Sequence, residues 1–214
     1  MKKNLLINLL LAMLLGATNV WADSGLFLFG SEVPSTSNWT YSVTNNIVGY
    51  ISLDTPVGAI LNGTVSYDAA TKTVTFNNVQ AVVRDDRRIL YNKGVSGLKI
   101  VFTGWATLWS DYCVFRLDQD TEIIGSEEEV NLRALGNNAE CIYCPNATKL
   151  KIRNFGKLKM TSNRWRAINT SGAWMGIYNS NVYLKGADCA IQNNKGNLDE
   201  MTGNLRLHDC ILRD

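Results

Sequence analysis

The sequence predicts an all-β chain, a parallel β-solenoid (β-helix) of about five to six coils, on three observations. Helical periodicity is nearly absent after residue 23. Short runs of apolar-polar-apolar residues recur between clusters of Gly, Asn, Asp and Ser, the pattern of strands and turns. Two separate columns of such runs repeat at intervals mostly in the twenties.

The first column is Val74–Phe76, Leu98–Ile100, Thr121–Ile123, Leu150–Ile152, Val182–Leu184 and Leu205–Leu207, with spacings of 24, 23, 29, 32 and 23 residues. The second is Ile89–Tyr91, Cys113–Phe115, Cys141–Tyr143, Ala167–Asn169, Cys189–Ile191 and Cys210–Leu212. A single coil cannot bury its inward residues alone. Stacking coils at about 4.8 Å pairs the strands in parallel and aligns the inward positions. The expected inward ladders are Ile100, Ile123, Ile152, Leu184 and Leu207 in one row, and Leu108, Leu132 and Met160 in another. A β-sandwich is the competing all-β arrangement. Against it, no Asn-Gly or Asp-Gly turn separates adjacent candidate strands, as a series of tight hairpins would require.

Lys2 and Lys3, an apolar run from Leu5 to Ala17 and the small-x-small site Val20-Trp21-Ala22 read as a secretory signal peptide over residues 1–22. The apolar part is too short to span a bilayer, so the expected product is exported, periplasmic or extracellular. Residues 23–62 form an N-terminal lead-in or cap, and residues 63–214 the coils. The whole chain has 21 Lys and Arg against 19 Asp and Glu. The leader takes two lysines and no acid, so the mature chain is balanced, which argues against a nucleic-acid partner.

The segments Gly25–Val33 and Gly63–Val79, with the later Leu-Lys-Ile, Ile-Tyr and Gly-Lys-Leu-Lys-Met pieces through Met160, carry a resemblance. They resemble secreted bacterial right-handed parallel β-helix proteins of the carbohydrate-binding-domain type, over most of residues 25–212. The resemblance implies a right-handed parallel β-helix and a polysaccharide or other surface glycan as ligand. The chain departs from that pattern by stopping at Asp214, directly after a candidate strand. An uncovered strand edge invites pairing, so self-association through the C-terminal coil is a further expectation.

Charge is segregated along the chain. Residues 111–140 carry eight acids against Arg116 and Arg133, while residues 141–187 carry eight bases and no acid. Alternation turns Lys149, Lys151 and Arg153 outward together, and likewise Lys157 and Lys159. With Trp165 they are the candidate ligand-binding residues, a basic stripe suited to an anionic polysaccharide. The same charges also fit cross-strand pairs, with Glu122 between Lys99 and Lys151 and Glu129 beside Lys157. Trp105, Trp109, Tyr112, Trp165 and Trp174 fall at outward or turn positions, where an indole suits the C–H face of a sugar or simply covers the core.

Asp118, Asp120 and Glu122 alternate and form a candidate calcium site; no other cofactor is expected. Asp118, Asp120 and Arg116 are the residues a polysaccharide lyase or hydrolase would use. Catalytic signals are otherwise poor, with a lone His208 and no Gly-x-Ser-x-Gly elbow. Non-catalytic carbohydrate binding or adhesion is the first functional reading, cleavage the second, and a structural self-associating surface repeat the third. Five cysteines in an oxidising compartment permit Cys113–Cys141 and Cys189–Cys210 bridges, leaving Cys144, or five buried thiols.

Overall fold

A computed structural model describes residues 25–42, 59–84, 87–137, 139–146, 149–171, 173–193 and 198–208, with side chains excepted at 59–61 and 198–208. The expected signal peptide and Cys210 lie outside these residues. Strands follow one another without a helix: β1 Leu26–Leu28, β2 Ser31–Glu32, β3 Trp39–Ser42, β4 Ala59–Asp68, β5 Thr73–Val83, β6 Leu90–Asn92, β7 Leu98–Ser110 and β8 Phe115–Leu117. The order continues β9 Thr121–Ile124, β10 Glu129–Ala134, β11 Ile142–Tyr143, β12 Lys149–Arg153, β13 Lys157–Ser162, β14 Ile168–Asn169, β15 Trp174–Lys185, β16 Ile191–Gln192 and β17 Leu198–His208.

From β5 onward every described pairing is parallel except those with the lead-in, β5 with β4 and β6 with β1, and the chain is a β-solenoid of about four turns. Three faces repeat. The short strands β6, β8, β11, β14 and β16 stack as the first. The second stacks the opening halves of β5 and β7 on β9, β12 and the opening half of β15. The third stacks the closing halves of β5 and β7 on β10, β13, the end of β15 and β17. The turns number about four where five to six coils were expected, and β4 lies antiparallel to β5 and belongs with the lead-in. Residues 63–68 therefore precede the coils. Beneath them β1–β2 and β3–β4 are antiparallel, which covers the first coil's edge.

The inward rows follow the pairing. Val74, Ile100, Ile123, Ile152 and Ile177 stack on the second face, where the backbone of Met201 continues their register. Ala81, Leu108, Leu132, Met160 and Leu184 stack on the third, where the backbone of Leu207 continues theirs. Leu184 and Leu207 thus leave the row expected for them and extend the other. The 32-residue spacing before Val182 marked the slip, because a whole second-face strand, Trp174–Tyr178, had gone uncounted.

Thr121, an odd residue for an inward place, is buried but satisfied: its hydroxyl donates to the Gln119 carbonyl at 2.9 Å and accepts from Asn92 Nδ2 at 3.2 Å. Four phenylalanines fill the axis. Phe102 stacks on Phe76 at 5.3 Å between ring centroids and meets Phe155 at 5.9 Å and Phe115 at 6.4 Å, all essentially water-free.

At the corner between the second and third faces the backbone takes left-handed φ at Asn78 (48°), Gly104 (87°), Asn154 (62°) and Asn179 (44°). Asparagine tolerates this conformation and glycine has no Cβ to oppose it. A Cβ on Gly104 would collide with the Asn78 side-chain amide. Asn179 Nδ2 donates to Asn154 Oδ1 across two coils at 3.3 Å, so the corners stack as the strands do.

Because the phenylalanine column joins three coils, Phe102→Ala is expected to cost about 3–5 kcal/mol in chemical denaturation. A loss below about 1 kcal/mol would contradict the packing described.

Candidate functional site

The six basic and aromatic candidates do not form one surface. Lys149, Lys151 and Arg153 point outward from β12 on the second face, and Lys157 and Lys159 from β13 on the third. The corner at Asn154 separates the sets. Trp165 sits in the turn after β13, half-buried.

Most of these side chains are engaged. Arg153 Nε donates to Glu122 Oε1 at 2.7 Å, and Lys157 is ion-paired with Glu129. The Lys149 ammonium lies 4.7 Å from the Trp174 ring centroid and the Arg166 guanidinium 4.2 Å from that of Trp165. The expected stacking of Glu122 between Lys99 and Lys151 is present, but the diagonal Arg153 takes the hydrogen bond.

The acidic triplet disperses for a simple reason: β9 begins only at Thr121. Asp118 lies in the preceding turn, almost buried, where it accepts from Arg116 Nε at 2.9 Å and from the Tyr91 hydroxyl at 3.0 Å. Asp120 Oδ1 caps the backbone N–H of Lys149 at 3.0 Å, and Glu122 faces Arg153. Among the described residues no three His, Cys, Asp or Glu side chains are grouped to hold a metal ion. The calcium site expected at Asp118, Asp120 and Glu122 is therefore not assembled. Arg116 and Asp118 bind each other on the first face, away from Asp120.

On the third face lies a solvent-open groove of about 660 Å³, lined by Lys157, Lys159, Asn181 and Tyr183 above the buried Leu158 and Val182. Pairing in register produces it: Lys159 stands beside Tyr183 on the next coil, its ammonium 5.7 Å from the ring centroid. Asn181 Nδ2 donates to the Gly156 carbonyl at 2.9 Å and fixes the groove's corner. The apolar-polar-apolar reading of Val182–Leu184 placed Tyr183 outward but gave it no role. A smaller groove of about 190 Å³ on the second face is lined by Lys99, Lys149 and Lys151, but also by Asp120 and Glu122.

With this geometry in place, the chain was compared with known proteins. It matches no family model, no curated protein and no solved structure. Its chemistry is read from its own side chains.

Cys113, Cys141 and Cys144 are buried free thiols, and Cys189 is buried as well. The expected Cys113–Cys141 match fails by one residue, because Phe115 pairs with Ile142 and sets Cys141 beside Val114. Cys113 Sγ donates to the Phe115 carbonyl and Cys141 Sγ to that of Leu132. Burial pushes the Cys141 thiol up to about 12 and those of Cys113 and Cys144 up as well, which removes the thiolate that redox or metal chemistry needs. The expected Cys189–Cys210 pairing involves a residue outside those described.

Glu140, counted in the sequence as one acid among eight, is 6 % exposed. Burial raises its carboxyl pKa, opposed by a hydrogen bond from Asn169 Nδ2 (3.1 Å) and by the Arg166 charge. The folded state therefore holds the proton more tightly than the unfolded chain, and stability falls as pH rises above the ordinary value of 4.5. Glu140→Gln keeps an acceptor without the charge. Its melting temperature is expected to gain on the parent's from about pH 4 to about pH 7. Parallel pH profiles would contradict burial as the cause.

Proposed function

We propose that the protein is an exported, non-catalytic carbohydrate-binding or adhesion module whose ligand is an anionic polysaccharide lying across its third face. The groove lined by Lys157, Lys159, Asn181 and Tyr183 carries this reading. Its volume of about 660 Å³ lies within the range of ligand sites, roughly 300–1,000 Å³. It brings together the Lys159 ammonium for a carboxylate, with Lys157 held by Glu129 beside it, an amide for hydroxyls and a phenol ring for a sugar's C–H face. The outward row Thr107, Asn131, Lys159 and Tyr183 follows the coil axis, one residue per coil, and its last two members line the groove. A polymer needs repeated small contacts of this kind, because each exposed charge contributes little alone.

The second-face groove is smaller and has two carboxylates on its walls, so it suits an anion less well. Binding is favoured over cleavage because the carboxylates a lyase or hydrolase would use are committed elsewhere. Asp118 holds Arg116, Asp120 caps a strand, and Glu122 holds Arg153. General acid–base work needs such groups free to face a substrate.

In affinity electrophoresis the protein should be retarded by polygalacturonate and not by dextran. Lys157→Glu with Lys159→Glu should weaken retardation about tenfold, since two exposed charge contacts of about 0.7 kcal/mol each together reach the roughly 1.4 kcal/mol of a tenfold change. Retardation by polygalacturonate that survives the double substitution would refute the site.

A further inference from the structure

A second cavity opens where the first face meets the lead-in. It has a volume of about 240 Å³ and is lined by Phe27, Gly30, Arg87, Arg88 and Tyr91, with no acid among the described residues of its wall. Arg88 is the unusual member. Its Nε is buried and has no hydrogen-bond partner, although its guanidinium lies 4.7 Å from the Tyr112 ring centroid and 5.4 Å from that of Tyr91. Ring faces attract the charge but do not replace the missing acceptor, and a buried charged donor without one is costly.

The charges among the described residues do not supply that acceptor. Asp118 is held by Arg116 and the Tyr91 hydroxyl. Glu32 stands on β2 opposite Phe27, one strand further from Tyr91. Glu140 belongs to a later coil and is bonded to Asn169. The wall is also rigidly built. Phe27 stacks on Tyr91 at 5.4 Å with 21° between ring planes. Gly30, at φ 80°, lets the Arg87 stem lie against the lead-in turn, where a Cβ would meet Arg87 Cδ at 2.8 Å.

We propose that this cavity binds the carboxylate of an acidic sugar, with the guanidinium groups of Arg87 and Arg88 donating to its oxygens and the Phe27 side of the Phe27–Tyr91 stack meeting the sugar ring. Guanidinium geometry matches a planar carboxylate, and stacked rings beside it suit a carbohydrate rather than a free inorganic anion. The cavity is on a different face from the Lys157–Lys159 groove, so the two sites stand or fall separately.

The test is calorimetric titration of the full chain with sodium glucuronate, glucose and sodium sulfate at one ionic strength. Glucuronate is expected to bind saturably, and glucose and sulfate are not. Arg88→Gln should weaken glucuronate about tenfold or more, while Lys157→Glu with Lys159→Glu should leave it unchanged. If Arg88→Gln fails to fold, as judged by circular dichroism, Arg87→Gln carries the same expectation. No saturable glucuronate binding, sulfate binding as tight as glucuronate's, or unchanged affinity in the folded arginine variant would each overturn the assignment.

Discussion

Each strand of a coil lies about 4.8 Å from the strand beneath it, in parallel and in register, and that pairing decides which side chains meet. Inward, it converts one apolar residue per coil into a continuous row, so that Ile100, Ile123, Ile152 and Ile177 exclude water together though no single coil could. Outward, it converts one polar residue per coil into an equally regular row. The lead-in exists for the same reason: a stack of parallel strands has an open end, and antiparallel β1 and β4 close it.

The outward rows explain how a chain with segregated charge folds without self-repulsion. The acid-rich stretch forms one coil and the base-rich stretch opens the next, so Glu122 meets Arg153 and Glu129 meets Lys157 across the step. These half-exposed pairs contribute little energy each; the register is held by the inward rows, because a one-residue slip would turn Leu150 and Ile152 outward. What remains after pairing is informative. The third-face groove keeps Lys159 against a tyrosine ring, and the first-face cavity keeps a buried arginine donor with no acceptor. Binding surfaces on such a scaffold lie where pairing leaves charge over.

Much of the architecture was legible in the sequence because inward positions are apolar in every coil. Ile100, Ile123 and Ile152, and separately Leu108, Leu132 and Met160, could be aligned by eye. Residues 174–178 were missed because Gly176 takes the outward place and the segment lacks the apolar-polar-apolar signature. The cysteines were misaligned by one residue because β8 and β11 are only two or three residues long and their register is fixed by the whole coil. The sites were less legible. Alternation correctly put Lys149 to Lys159 outward, but the corner at Asn154 turns Arg153 and Lys157 onto different faces, and nothing in the local sequence marks a corner except one asparagine. The Tyr91–Arg116–Tyr143 row and the cavity at its head escaped notice, since they arise from single residues some 25 apart that gain meaning only once stacked.

In-register parallel stacking can be tested by forming a bond across it. Thr107 and Asn131 are direct outward partners on β7 and β10, while Thr107 and Arg133 are two residues out of step. Parallel partners lie within the Cα range of roughly 4.4–6.8 Å that a disulfide tolerates, and the offset pair falls outside it. Peptide mapping of oxidised protein should find the Thr107→Cys, Asn131→Cys pair bridged and the Thr107→Cys, Arg133→Cys pair open. The reverse pattern, or an in-register pair that stays reduced, would contradict the stacked architecture on which both proposed sites depend.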